Sequence, residues 1–71
     1  MNDWTMPKVG DLVDVFDNGR IVTHNTPRWA YGTTGRVLRL NDKTATIELV
    51  TYCPGERIRV DYADIRIRQK I

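Results

Sequence analysis

The chain has 71 residues, 41% of them hydrophobic and 28% charged, with a formal net charge of +2. A chain of this length makes one domain around a small core, and the composition excludes a wholly disordered polypeptide. The lone Cys53 excludes an internal disulfide and the Cys/His spacings of a zinc site, so neither metal nor other cofactor is expected, and no apolar run reaches the length of a membrane span.

Residues 1–7 lack the basic start and apolar core of a signal peptide, which leads us to expect a soluble cytoplasmic protein. Residues 1–8 read as an N-terminal arm in which Trp4 clips a strand edge, residues 9–68 as the folded unit and residues 69–71 as a tail. The apolar period is two almost throughout. Leu12 to Phe16 is the first predicted strand; Val13 and Val15 share one face, for which Leu12 and Phe16 compete. A long loop follows from Asp17 to about Thr33, then a second strand from Thr34 to Leu40. Asn41, Asp42 and Lys43 make a tight turn into the β-branched run Ala45 to Val50, and Cys53-Pro54-Gly55 supplies a second tight turn. From Glu56 to Tyr62 the alternation is clearest: Ile58, Val60 and Tyr62 on one face, Arg57, Arg59 and Asp61 on the other. The segment Asp61 to Asp64 leaves room for one 3₁₀ turn before the last strand, Ile65 to Arg68. The expected core is Val13, Val15, Val37, Ile47, Leu49, Ile58, Val60 and Ile65.

Short strands with no helix-period segment predict an all-β meander closed into a small barrel. The order of loop lengths, one long, two tight and one with a 3₁₀ turn, resembles that of the SH3-like barrel over residues 9–68, five strands in all. Within it, Val9-Gly10-Asp11-Leu12-Val13-Asp14-Val15 resembles the Gly-Asp-x-Val-x-Val opening of KOW-type nucleic-acid-binding modules, and Gly32-Thr33-Thr34-Gly35-Arg36-Val37 resembles their Gly-x-x-Gly-x-Val turn. The resemblance implies RNA binding. The chain departs from the KOW pattern in placing about sixteen residues between Val15 and Gly32. It also lacks the acidic first loop of signalling SH3 domains, so recognition of proline-rich peptides is not expected.

Charge is distributed unevenly. Residues 1–17 hold four aspartates against one lysine, whereas the span between Asp17 and Asp42 has no acid and carries Arg20, His24, Arg28, Arg36 and Arg39, with Trp29 and Tyr31 among them. Cationic side chains attract phosphate or carboxylate, and aromatic faces stack on bases. These seven residues are therefore the candidate site, and two readings of it follow. In the first, the chain is a small non-catalytic module that binds RNA or single-stranded DNA through residues 18–41, the arginines on phosphates and Trp29 or Tyr31 on an unpaired base. In the second, it is an adaptor that docks an acidic protein through the same loop. Trp29 and Tyr31 also fit a purely packing role, as lids over one end of the barrel.

No enzyme activity is expected. Cys53 and His24 have no orienting group to make them a nucleophilic pair. The outward arginines Arg57, Arg59, Arg66 and Arg68 are expected to solvate the sheet, partly neutralised by Asp61 and Asp64, and to discourage edge pairing. Strand edges, with Trp4, Leu38 and Leu40 exposed, leave a homo-oligomer open.

Overall fold

Alternating side chains can bury one face of a strand only if the backbone finds partners on its edges, and here one antiparallel sheet supplies them. The structure, a computed structural model, describes residues 6–17 and 25–69. Strand β1 is Leu12–Val15, β2 Thr34–Leu40, β3 Thr44–Leu49, β4 Arg57–Asp61 and β5 Ile65–Gln69. They lie in the order β4-β3-β2-β1-β5, every neighbouring pair antiparallel. This is the all-β, five-stranded arrangement expected from the loop lengths, with its long first connection and the 3₁₀ turn Tyr62–Asp64 before the last strand. β4 and β5 are the two ends of the ladder. Among the described residues no helix is long and apolar enough to cross a membrane.

Three details differ from expectation. A further 3₁₀ turn, Arg28–Ala30, closes the long first connection. The connection between β3 and β4 takes up residues 50–56, because Val50 and Thr51 stay bound to β2: the Val50 amide donates to the Thr34 carbonyl at 2.9 Å, and the Thr51 hydroxyl accepts from the Thr34 amide at 2.9 Å. Tyr62 leaves the strand to open the second 3₁₀ turn, and its hydroxyl donates to the Asn41 carbonyl.

The core is the inner face of the sheet. All eight residues expected there are buried, joined by Ala30 and Ala45, while Leu12 and Phe16 are only half-buried. The competition for the inner face of β1 is settled by pairing: Val13 and Val15 lie beside Ile67 and Ile65 of β5.

Both glycine motifs have packing explanations. Gly10 takes a positive φ of 97°, so the chain turns back before β1 and the Asp11 carboxyl accepts the Lys8 amide at 2.8 Å. Gly32, at φ 91°, donates its amide to the Val15 carbonyl at 2.7 Å. Gly35 serves close approach: a Cβ there would lie 2.9 Å from Ile47 Cδ1 and 3.0 Å from the Glu48 carbonyl oxygen. Because one of those atoms is backbone, Gly35→Ala is expected to lower stability by about 1–3 kcal/mol. Ile47→Ala, which empties the middle of the core, is expected to cost about 2–5 kcal/mol. Urea unfolding followed by circular dichroism measures both.

Candidate functional site

The end of the long connection is held by a buried carboxyl. Asp64, only 1% exposed, closes the second 3₁₀ turn. Its Oδ2 accepts the Thr26 hydroxyl at 2.9 Å and the Tyr31 hydroxyl at 3.2 Å, and its backbone carbonyl accepts the Phe16 amide at 2.9 Å. Thr26 in turn accepts the Asp61 amide at 2.8 Å, and Asn25 donates to the Asp61 carboxyl at 2.9 Å. The expectation that Asp61 and Asp64 neutralise the outward arginines is therefore corrected: Asp64 is inside and both carboxyls hold the first connection.

This anchoring fixes what the 3₁₀ turn Arg28–Ala30 presents. With three residues per turn, successive side chains point about 120° apart. Ala30 is buried in the core, which sends Arg28 and Trp29 outward. Tyr31 packs half-buried against the core with its hydroxyl on Asp64, so it is a lid. Trp29 is not: it is 45% exposed, and its ring centroid lies 5.8 Å from that of Tyr52 at an interplanar angle of 49°. Tyr52, in the connection between β3 and β4, is itself 53% exposed.

Arg36 and Arg39 belong to the sheet. Residues three apart on a regular strand face opposite ways, but a bulge between Val37 and Arg39 takes up Leu38 and restores Arg39 to the outer face. Two rows cross that face: Arg36, Glu48 and Arg57, then Arg39, Thr46 and Arg59. Several outer cations are occupied. Arg36 donates to the Gly10 carbonyl at 2.7 Å, Arg68 pairs with Asp14 at 2.9 Å, and Arg66 lies 4.7 Å from the centroid of the Phe16 ring. The guanidinium groups of Arg39, Arg57 and Arg59 have no hydrogen-bond, ion-pair or ring partner among the described residues. These three line an open depression of about 430 Å³ together with Asn41, Thr46 and Ile58. The Asn41 amide donates to the Thr46 hydroxyl at 3.1 Å and to the Thr44 hydroxyl at 3.2 Å. The lining thus holds three guanidinium groups and no carboxylate, while Glu48 stands beside it as the cross-strand neighbour of Arg57 and Asp61 lies in the next row.

The structure therefore divides the seven expected site residues. Arg28 and Trp29 stand together at the end of the first connection, Arg39 stands on the sheet face, Arg36 is tied to Gly10 and Tyr31 to Asp64. Arg20 and His24, like Trp4, lie outside the described residues. Sequence reasoning passed over Arg57, Arg59 and Tyr52. The signal for the first two was the Arg57-x-Arg59 alternation, which becomes a site only once β3 is known to run between β2 and β4. Among the described residues no three His, Cys, Asp or Glu side chains gather as a metal ion would need, and Cys53 is exposed.

The packing roles are separable by mutation. Asp64→Ala leaves the Thr26 and Tyr31 hydroxyls without their acceptor and is expected to cost on the order of 2 kcal/mol. Trp29→Ala, which removes a half-exposed ring and its contact with Tyr52, is expected to cost about 0.5–1.5 kcal/mol. Chemical denaturation of the two variants beside the wild type tests the division. No protein-family model, curated protein or solved structure matches the chain.

Proposed function

We propose that this chain is a small non-catalytic module that binds nucleic acid, with the outer face of β2, β3 and β4 holding the phosphate backbone. The observation that carries the reading is the convergence of Arg39, Arg57 and Arg59, none with a partner among the described residues, on one depression whose lining holds no carboxylate. Guanidinium groups match phosphate oxygens in charge and in the geometry of their donors. Successive rows on one face of a sheet lie about 7 Å apart along the strands, and next-but-one strands about 10 Å apart. A repeating anion suits such a grid of cations.

An acidic protein would meet the same charges, but stable protein interfaces place an apolar anchor in a desolvated centre. Here the centre of the face is Thr46 and Glu48, each between two arginines, and the one apolar residue of the depression, Ile58, is committed to the core. The nucleic-acid reading is therefore preferred.

Fluorescence anisotropy of labelled RNA and DNA oligonucleotides across a potassium chloride series tests it. The wild type is expected to bind with an affinity that falls steeply with salt. Each of Arg39→Ala, Arg57→Ala and Arg59→Ala is expected to weaken binding and to reduce the log–log salt slope by about 0.7–0.9 for each phosphate that the variant no longer neutralises. Absence of binding by the folded wild type at low salt, with retention of an acidic protein instead, would transfer the same face to the docking reading.

A further inference from the structure

We infer that Trp29 and Tyr52 form a base-stacking site that makes the module select unpaired over paired nucleic acid; the inference rests on the proposed binding of the phosphate backbone by the sheet face. The two rings come from distant parts of the chain and meet at 5.8 Å, yet both remain about half exposed. A pair that served only to cover apolar area would be sunk against the core, as Tyr31 is. These rings instead keep faces open to solvent beside the exposed Arg28.

Both rings are held by backbone that is already ordered. Trp29 sits between Arg28 and the buried Ala30, whose amide donates to the Pro27 carbonyl at 3.0 Å, with the next turn closed by Thr33 donating its hydroxyl to the Ala30 carbonyl at 2.6 Å. Tyr52 follows the pairing of Val50 and Thr51 with Thr34, and the loop after it is shaped by Cys53 at φ 48° and Gly55 at φ 94°. Stacking on rings so placed loses little conformational freedom.

The spacing decides how a base is received. A base sandwiched between two rings needs about 7 Å, two van der Waals separations of about 3.5 Å, and 5.8 Å with a tilt of 49° leaves no such slot. The base stacks on the outer face of one ring while the other buttresses it. Indole offers the larger face and stands on the more firmly anchored turn, so Trp29 is the platform and Tyr52 the support.

The pair lies at the end of the sheet where β2 begins and β3 finishes, and the arginine rows follow along those strands. A strand whose backbone runs over Arg57, Arg59 and Arg39 can turn a base onto Trp29 only if that base is unpaired. Duplex offers the arginines its phosphates but hides its base faces.

The test compares labelled oligo-dT and oligo-U with a mixed-sequence DNA duplex, bound to wild type, Trp29→Ala, Trp29→Phe and Tyr52→Ala under one salt condition and across a salt series. The wild type is expected to prefer the single strands. Trp29→Ala should lose on the order of tenfold or more for single strands while its duplex affinity and its salt slope stay at the wild-type values. Trp29→Phe should recover most of the loss, unchanged duplex affinity in Trp29→Ala separates lost stacking from lost folding, and Tyr52→Ala should lose less than Trp29→Ala. Equal binding of single strands by wild type and Trp29→Ala, with Arg57→Ala still weakening both ligands, overturns the stacking site and leaves the backbone-binding reading standing. No binding of any oligonucleotide, or equal displacement by polyglutamate with no dependence on Trp29, overturns both.

Discussion

One buried carboxyl organises the half of the molecule that secondary structure alone would leave loose. Asp64 receives hydroxyls from Thr26 and Tyr31, at the far end of the first connection, while its own backbone binds Phe16 at the end of β1. Three segments distant in sequence are thereby locked at one end of the sheet. A polar group buried this deeply is tolerated because its partners are supplied, and no buried side-chain polar atom among the described residues lacks one. Remove the hub and the turn that carries Ala30 loses the Thr26 and Tyr31 bonds that flank it. Arg28 and Trp29 would then have no fixed direction.

That dependence explains the division of labour among the aromatic and basic residues. Tyr31 gives up its surface to become part of the anchor, and Trp29, two positions earlier on a three-residue turn, is turned out by the same anchor. On the sheet, Arg36 and Arg68 direct their donors to Gly10 and Asp14, which pins β1 to its neighbours. Arg39, Arg57 and Arg59 keep theirs for solvent or a ligand. Geometry thus separates the guanidinium groups tied to the fold from those that face outward.

Much of the fold was legible in the chain because period-two burial is a local signal. The alternation of Val13 and Val15, of Ile47 and Leu49, and of Ile58 and Val60 identified inner faces without knowledge of strand order. What stayed hidden was non-local. Asp64 read as a surface acid, since nothing near it in sequence announces Thr26 or Tyr31. Tyr52 carried no signal of its own, since its partner is Trp29. The outward position of Arg39 depended on a bulge at Leu38 that no alternation pattern records. The glycine motifs were legible as motifs, but their observed work is steric: Gly32 supplies a positive φ and Gly35 lets Ile47 approach. They account for turns and packing in the fold.

The pairing of β1 with β5 has a consequence for the newly made chain. Val15 lies beside Ile65, across nearly the whole described length, whereas β2, β3 and β4 are joined by short connections. Closing a long loop is entropically slower than closing a hairpin. During synthesis the three-stranded meander can assemble early, yet Leu12–Val15, though made first, keeps one edge bare until the last strand has left the ribosome. Its Val13 and Val15 lack their native neighbours Ile67 and Ile65 until β5 has emerged.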